Sequence, residues 1–408
     1  MAIGCKAYFY DSLYDFKMVM TRGNIRCALV TLNPFPIGNV ATIRYSSYMA
    51  AIANAGCYSK VYVYAPSRTA RFNTELSGVH NGIHYEYTSG KITLRNRNVI
   101  SILYYLIVGI IRCCRSIVKD DINVLILGNT AWPINLLFKI LCRKRGVKFY
   151  GERSEYPFTH YQNNKIKQWV YIKKIRWFDG MILMTEELVN YYSSLLKWEK
   201  PTFLLPMTID CHRFDNVKKV KSEYEYIAVV FGVHNRDGLL ESIQAYNKYR
   251  KLGGTYHLLL IGNYDGMPNR ELLDIEVCNG GYNMDIHIKG LIPNDKLPQM
   301  LLGASCLMTT PKAYISGGFP TKLGEYMLSG VPIVATAAGD VLKYVEADKE
   351  IKISNPMDID SVANNLLYIE QNKKESNDMA CRAAKKAKKA FNAETYVQDL
   401  LAFLVEEK

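Results

Sequence analysis

The chain has 408 residues, 49% of them hydrophobic and 22% charged, which excludes a disordered protein and indicates an ordinary globular one. Its length favours two domains of roughly 200 residues over a single core. Lys and Arg outnumber Asp and Glu by 51 to 38, and this net charge of +13 favours an anionic partner, either a phosphate-bearing ligand, an anionic membrane surface or a nucleic acid. A basic surface that only keeps the protein soluble is the alternative.

The cysteines and the N-terminal segment indicate the cellular compartment of the protein. None of the ten cysteines forms a Cys-x-x-Cys pair or a zinc-type cluster, which is typical of small core residues in a reducing compartment. Asp11 and Asp15 interrupt the N-terminal segment, where a signal peptide would be continuously apolar. We therefore predict a cytoplasmic protein.

One apolar segment qualifies that prediction. "VISILYYLIVGII" (99–111) has 13 residues, too few to span a bilayer, and basic residues flank it on both sides. A buried core helix is the first interpretation. The alternative is a partly exposed helix whose basic flanks hold the protein at the cytoplasmic face of an anionic membrane, as a peripheral protein.

Short apolar strands alternate with helix-length segments along the chain. "IRCALVTLNP" and "INVLILGN" are typical strands, whereas "ATIRYSSYMAAIANAG" and "NLLFKILCRKRG" have helical spacing and end on glycine. The polar segment 214–225 is a plausible linker, and the alternation then starts again. This pattern predicts parallel sheets with helices on both faces, which bind ligands at the carboxyl ends of their strands.

We therefore predict an α/β protein of two Rossmann-like, doubly wound domains that face each other across a cleft. The predicted boundaries are 1–213 for an N-terminal acceptor-side domain and 214–390 for a C-terminal nucleotide-sugar-binding domain. A final helix, 391–408, is expected to pack back on the N-terminal domain.

The segment "SGGFPTKLGEYMLSGVPIVATAAGD" carries most of the functional information. Gly317 and Gly318 allow the backbone to approach a ligand closely, and Pro320 suits the first turn of a helix. A helix start presents free N–H groups to a phosphate, and Lys322 adds a full positive charge. The Glu325 carboxylate can accept hydrogen bonds from the two hydroxyls of a ribose. The residues alone leave two interpretations open: a nucleotide site, or an ordinary Gly-Pro loop whose glutamate favours the helix dipole.

The pattern "GFPTKLGEYMLSGVPIVAT" resembles the nucleotide-sugar site of the family 4 retaining glycosyltransferases, which have the GT-B fold. Other segments follow in the family's order over most of the chain, among them "FPIGNVATIRYSSYMAAIANAG", "FLLPMTIDCHRF", "FGVHNRDGLLESIQAY" and "FNAETYVQDLLAFL". The resemblance implies a hexosyltransferase. It would move a sugar from a nucleoside-diphosphate sugar to a saccharide or lipid-linked saccharide, with retention and without a required cofactor, in the assembly of a surface polysaccharide or glycoconjugate.

The resemblance also assigns roles to single residues. Glu325 matches the second glutamate of the family's Glu-x7-Glu motif, which holds the nucleotide ribose. Gly318, Phe319 and Pro320 match the loop whose backbone faces the donor diphosphate and sugar.

This chain departs from the family at two places. Gly317 replaces the motif's first glutamate, which normally contacts the donor sugar, so Thr321 and Lys322 are expected to supply polar contacts there. Asp237 stands where the family carries a lysine, and Arg236 is the candidate cation for the diphosphate.

Further donor contacts follow from the same resemblance. Gly290 and Leu291 match the strand end where the base meets the main chain. In the first domain, Gly38 and Asn39 match the loop that approaches the diphosphate and the acceptor.

The segment "GERSEYPF" lies where many family members carry a histidine near the reacting sugar. This chain offers Glu152, Glu155 and His160 there. Glu155 is the candidate catalytic residue, and the alternative is a structural salt bridge with Arg153 or with the cleft wall.

In such an enzyme negative charge grows on the departing phosphate, so nearby cations are the main catalytic requirement. Lys322 and Arg236, with the helix N–H groups, are predicted to meet it without a metal. Asp358 and Asp360 form an Asp-x-Asp pair, but their place before a helix predicts capping rather than metal binding.

Three other functions are considered. A sugar-nucleotide epimerase shares the architecture, and Gly317 motivates a non-catalytic relative that binds nucleotide or membrane. Nucleic-acid binding would need basic residues interleaved with aromatics on one face, whereas the 30 tyrosines are spread along the chain, so no nucleic-acid partner is predicted.

Overall fold

The computed structural model of the chain describes residues 24–67, 70, 72–94, 98–157, 164–194, 199–232, 234–312, 319 and 321–405. The predictions for His160, Gly317, Gly318 and Pro320, and for the N-terminal segment, lie outside the described residues.

The chain divides into two compact units. The N-terminal unit comprises Met1–Thr208 with Ala393–Lys408, and the C-terminal unit is Ile209–Asn392. The last helix of the chain therefore belongs to the N-terminal unit.

An eight-stranded sheet forms the centre of the N-terminal unit. Its strands are β1 (Arg26–Thr31), β2 (Tyr58–Val63), β3 (Ser77–His80), β4 (Ile83–Tyr87), β5 (Val124–Leu127), β6 (Lys148–Arg153), β7 (Gly180–Leu183) and β8 (Thr202–Leu204). Their order is β3-β4-β2-β1-β5-β6-β7-β8, and every pair is parallel except β3 with β4. Buried apolar residues fill β1 and β5 on both sides, as expected for central strands of a sheet covered on two faces.

Helices cover both faces of this sheet. They are α1 (Val40–Asn54), α2 (Val99–Lys119), α3 (Trp132–Arg145), α4 (Lys165–Ile175), α5 (Glu186–Ser194) and, from the end of the chain, α13 (Val397–Val405). The chain moves one way along the sheet from β1 to β2 and the other way from β4 through β8. Right-handed crossovers therefore place α1 on one face and α2 to α5 on the other. The helix α13 packs against α1.

The C-terminal unit has a six-stranded, fully parallel sheet. Its strands are β9 (Tyr226–Val230), β10 (His257–Ile261), β11 (Ile286–Gly290), β12 (Cys306–Thr309), β13 (Ile333–Thr336) and β14 (Lys352–Ser354), in the order β11-β10-β9-β12-β13-β14. Its helices are α6 (Leu239–Lys251), α7 (Arg270–Asn279), α8 (Leu297–Gly303), α9 (Thr321–Ser329), α10 (Val341–Tyr344), α11 (Ile359–Gln371) and α12 (Lys373–Ala390).

These two doubly wound sheets confirm the predicted α/β fold. Local predictions hold as well: α9 ends at Ser329 and Gly330 follows with φ +68°. The Asp358 carboxylate caps α11 by accepting the Ser361 N–H at 3.0 Å, so the Asp-x-Asp pair has the predicted structural role.

The prediction of a buried core helix at 99–111 is wrong. The helix α2 continues to Lys119, has 21 residues, and buries only Gly109, Cys113 and Ile117. Its length and mean hydropathy of 1.7 are sufficient to cross a membrane, and no other helix in the described ranges meets these criteria. The sequence of an apolar helix does not show which apolar residues pack on a sheet and which face solvent, and α2 has residues of both kinds.

The contact of α2 with the sheet depends on one glycine. A Cβ at Gly109 would lie 1.9 Å from the carbonyl oxygen of Tyr64, and the Thr88 hydroxyl donates to the Gly109 carbonyl at 2.8 Å. The middle of the helix therefore lies against the backbone that follows β2.

We expect Gly109→Ala to lower the free energy of unfolding by about 1–3 kcal/mol, because the added methyl group forces the helix away from Tyr64. Urea unfolding followed by circular dichroism measures the change. Ile107→Ala, at a solvent-exposed position of the same helix, is the control and should change stability by less than half as much. Equal effects of the two substitutions would contradict the close contact.

Candidate functional site

The strand order of the C-terminal unit creates a topological switch point between β9 and β12. From β9 the chain proceeds through β10 to the edge strand β11, and it returns on the other side of β9 as β12. The connections after β9 and β12 therefore lead in opposite directions along the sheet, and open α/β sheets form their ligand crevice at the carboxyl edge of such a point. The predicted donor residues Arg236 and Lys322 lie on these two connections.

The two loops are held together by main-chain contacts. Gly238 has φ +72°, and a Cβ there would lie 1.7 Å from the Thr310 carbonyl oxygen. The Thr310 hydroxyl donates to the Gly238 carbonyl at 2.7 Å, and the Lys312 N–H donates to the Arg236 carbonyl at 3.0 Å. The 3-10 turn Asn235–Asp237 is thereby fixed beside the residues that follow β12.

Lys322 forms an ion pair with Asp237 across this switch point. Its Nζ lies 2.5 Å from Asp237 Oδ2, which also accepts the Gly232 N–H at 2.7 Å. Burial alone would raise the pKa of Asp237, but the Lys322 ammonium and the Gly232 N–H hold it below its ordinary value. The Asp237 carboxylate thus neutralises the cation predicted to face the diphosphate.

Glu325 is buried one turn further along α9. Its Oε1 lies 3.0 Å from Arg213 Nη1, yet the geometry of that contact does not form a hydrogen bond. Burial raises the pKa of Glu325 more than the nearby charges of Arg213 and Lys322 lower it. The site therefore contains a buried carboxylate oxygen held near a cation, with hydrogen-bonding capacity left for a ligand hydroxyl.

Arg213 connects Glu325 to the loop after β11. Its Nη2 donates to the carbonyl and the side-chain oxygens of Asn294, at 2.7 and 2.6 Å. The predicted base-binding residues precede Asn294: Gly290, the last residue of β11, has φ +74°, and Leu291, the first residue after the strand, is more than half exposed. The structure thus links the predicted ribose and base positions through a residue that the sequence analysis did not single out.

The remaining residues predicted on the α9 connection have different environments. The Phe319 side chain is buried against Tyr344 and Phe391, so only its backbone is left to face a ligand. Thr321 is the first residue of α9 and is half-buried. Arg236 is exposed in the 3-10 turn.

The N-terminal unit has its own switch point, between β1 and β5, and Gly38 and Asn39 lie on the loop after β1. A Cβ at Gly38 would lie 2.1 Å from the Thr42 hydroxyl, so no side chain fits there. The Asn39 side chain caps α1 by accepting the Thr42 N–H at 3.2 Å, and it donates to Asn33 at 2.9 Å. The predicted phosphate loop is therefore compact and ends on a capped helix.

The two carboxylates at the end of β6 and just beyond it differ sharply in environment. Glu152 is buried and forms an ion pair with Arg44, with 2.9 Å between Oε1 and Nε, so it is a structural residue. Glu155 is exposed, two residues beyond the end of β6. Arg153, its suggested partner, is buried and donates to the Tyr171 hydroxyl and to the main-chain oxygens of Leu127 and Glu152.

The sequence analysis also missed Lys174. Its Nζ is buried near the carboxyl end of β5, where it donates to the Thr130 carbonyl at 2.6 Å and to Asn129 Oδ1 at 3.2 Å. Burial, followed by repulsion from Arg153, lowers the pKa of Lys174 to about 7. Nothing in the sequence distinguishes this lysine from the exposed ones on the same helix.

Two observations concern other possible sites. A cavity of about 520 Å³ beside Tyr224, Tyr256 and Lys373 lies at the amino ends of β9, β10 and β12, on the opposite edge from the switch point. Within the described ranges no group of three or more His, Cys, Asp and Glu residues is arranged to hold a metal ion. The independence from metal and cofactors stays a prediction.

One family model and a set of solved structures match this chain. Residues 212–386 match the family model described as "Glycosyl transferases group 1", which covers the whole switch-point region of the C-terminal unit. No curated protein matches the chain.

The fold is that of GT-B glycosyltransferases. It is similar to sucrose-phosphate synthase from Thermosynechococcus elongatus (TM-score 0.72, 15% identity, 93% of this chain and 98% of that one). It is also similar to a glycosyltransferase from Rickettsia africae (TM-score 0.68, 12% identity, 94% and 100% covered) and to HepE of Anabaena in complex with UDP and glucose (TM-score 0.68, 14% identity, 94% and 100% covered).

The burial of Glu325 generates a prediction about stability. A carboxyl group with a raised pKa contributes stability below its ordinary pKa of 4.5, and this contribution is lost as the pH rises through the higher value in the folded state. We therefore expect Glu325→Gln to be more stable than the native chain at pH 7 to 8, on the order of 1 kcal/mol or about 2–4 °C, with the gain disappearing on acidification.

Thermal melts of the native chain and of Glu325→Gln, from acidic pH up to pH 8, test the prediction. Glu271→Gln, which changes an exposed glutamate on α7, is the matched control and should show no pH-dependent gain. A stability loss in Glu325→Gln at neutral pH would mean that the Arg213 contact outweighs the cost of burial.

Proposed function

We propose that this chain is a retaining glycosyltransferase that takes a sugar from a UDP-sugar. The observation that carries the proposal is Glu325, a buried carboxylate at the switch point, inside the segment that matches the group 1 family model, with an oxygen that lacks a hydrogen bond. A ribose offers two adjacent hydroxyls to such an oxygen. UDP is chosen because HepE is described in complex with UDP and with UDP-glucose.

The proposed donor orientation follows from the three loops at the carboxyl edge. The base lies near Gly290 and Leu291, the ribose at Glu325, and the diphosphate at the start of α9. Arg236 and Lys322 stabilise the charge that develops on the departing phosphate. Arg213 positions the Glu325 carboxylate, which then accepts hydrogen bonds from the ribose hydroxyls.

We further propose that the acceptor is a saccharide or a lipid-linked saccharide, within polysaccharide or glycoconjugate assembly, on the cytoplasmic side of the membrane. Glu155 is the candidate residue beside the reacting sugar. Retention rests on the resemblance, with the leaving phosphate taking the proton of the acceptor hydroxyl.

A second candidate is a non-catalytic nucleotide-binding relative. Two observations favour it: Gly317 replaces the first glutamate of the motif, and Asp237 neutralises Lys322 at 2.5 Å. This protein would bind a nucleotide without turning over any sugar conjugate.

A thermal-shift screen of UDP, GDP, ADP and CMP, followed by the corresponding sugar conjugates, tests the donor. We expect UDP alone among the free nucleotides to raise the melting temperature, because a ligand stabilises the folded state that binds it. Glu325→Ala should weaken UDP binding by about 10- to 100-fold, as expected when a charged hydrogen-bond acceptor is lost. Glu271→Ala is the control variant.

The outcomes separate the two candidates. Binding of UDP with hydrolysis or transfer of one UDP-sugar supports the transferase, and the coupling constant of the product's anomeric proton decides retention. Binding without turnover of any conjugate supports the non-catalytic relative. Absence of any nucleotide-induced shift contradicts both.

The Lys322–Asp237 pair generates a separate prediction. We expect Asp237→Asn to tighten UDP binding by about five- to tenfold, because the diphosphate no longer competes with a carboxylate for the Lys322 ammonium. The gain should disappear in Asp237→Asn/Lys322→Gln, and Asp274→Asn, on exposed α7, should leave affinity unchanged. Isothermal titration calorimetry measures all four proteins. Weaker binding in Asp237→Asn would instead identify Asp237 as the residue that positions Lys322 for the phosphate.

A further inference from the structure

Three adjacent helices of the N-terminal unit carry basic residues and no acidic ones. The helices α2, α3 and α4 contain three, four and four Lys or Arg residues and no Asp or Glu. Their combined formal charge is +11, and because Lys174 is buried, ten of these basic side chains remain for the outer surface. They lie on the same face of the sheet, and α3 contacts both α2 and α4.

The helix α2 has two apolar stripes. One, Gly109 with Cys113 and Ile117, is buried on the sheet. The other recurs at helical spacing on the solvent side and is 45% to 79% exposed: Ile100, Leu103, Tyr104, Ile107 and Ile111. Exposed Arg112, Arg115 and Lys119 border this second stripe.

The neighbouring helices repeat the combination. On α3, Leu137 and Ile140 are each 47% exposed, and Lys144 follows one turn later on the same side. On α4, Ile166 and Trp169 are 76% and 60% exposed, and the Lys173 ammonium lies 5.6 Å from the centre of the Trp169 ring.

Apolar and basic side chains therefore share one outer surface. A helix that is exposed only to water usually carries both acidic and basic residues instead. Tryptophan, tyrosine, aliphatic residues and lysine are the side chains that suit the boundary between headgroups and acyl chains. The helix α5, next along the sheet, begins with exposed Glu186 and Glu187 and marks the edge of this surface.

We infer that the outer faces of α2, α3 and α4 form a docking surface for an anionic lipid bilayer. The apolar side chains enter the acyl boundary while the lysines and arginines contact the headgroups. The helix α2 lies in the interface and does not span the bilayer, because its buried stripe and the Gly109 contact hold it against the sheet. This inference stands independently of the proposed sugar transfer, since vesicle binding and nucleotide binding are measured separately.

The experiment is co-sedimentation of the full chain with vesicles of phosphatidylcholine alone or with added phosphatidylglycerol. We expect binding to the anionic vesicles only, with release at high salt. Tryptophan emission should shift to the blue on binding, and the shift should shrink in Trp169→Phe. Retention after alkaline carbonate extraction would mean that α2 spans the bilayer, and binding to neither vesicle type, or equally to both, would overturn the inference.

Two matched pairs of variants locate the surface. Arg143→Gln/Lys144→Gln/Arg145→Gln should weaken vesicle binding by about a hundredfold, whereas Lys374→Gln/Lys385→Gln/Lys388→Gln on α12 removes the same charge and should change it little. Leu103→Gln/Ile107→Gln should weaken binding by at least about tenfold, in contrast to Leu272→Gln/Ile275→Gln on α7.

Circular dichroism melts confirm that each variant is folded. Equal losses within either matched pair would show adsorption by overall charge or by general hydrophobicity, and would overturn the inference. A preference for an anionic polymer such as heparin over anionic vesicles would also overturn it, in favour of a polyanion-binding protein.

Discussion

The candidate site depends on how closely the loops after β9 and β12 approach each other. Gly238 lies so close to the Thr310 carbonyl that any side chain there would separate the two loops. The contact fixes the turn that carries Arg236 and Asp237, and it sets Asp237 at ion-pair distance from Lys322 on α9. Many α/β proteins have such a switch point. In this chain the loop contact at the switch point also fixes the distance between Asp237 and Lys322.

The buried glutamates Glu152 and Glu325, one in each unit, have different partners. In the N-terminal unit, Arg44 and Glu152 neutralise each other inside the core, and Arg44 also donates to the Leu205 carbonyl at 2.8 Å. In the C-terminal unit, Glu325 is buried near a cation without a completed hydrogen bond. The first arrangement is satisfied and contributes to structure, whereas the second retains unused hydrogen-bonding capacity, which is characteristic of ligand sites.

The sequence was sufficient for the fold and insufficient for the electrostatics of the candidate site, whose role in binding stays a prediction. Alternating apolar strands and glycine-terminated helices are local signals, so β9, β12, β13 and the end of α9 at Ser329 were predictable. Asp237 and Lys322 are 85 residues apart, and Arg213 reaches Glu325 from a different segment, so their pairing depends on tertiary packing. The solvent exposure of α2 was unpredictable for a related reason: periodicity shows two apolar stripes but does not show which one a sheet covers.

The uneven distribution of charge also affects how the N-terminal unit is oriented as it diffuses toward an anionic surface. The helices α2, α3 and α4 carry eleven Lys or Arg residues and no Asp or Glu, so the charge within the N-terminal unit is unevenly distributed. Near a negatively charged surface the basic side of this unit is attracted over distances up to the Debye length, about 8 Å at physiological salt. The N-terminal unit would thus be oriented during its approach, and each encounter would begin with the same face forward.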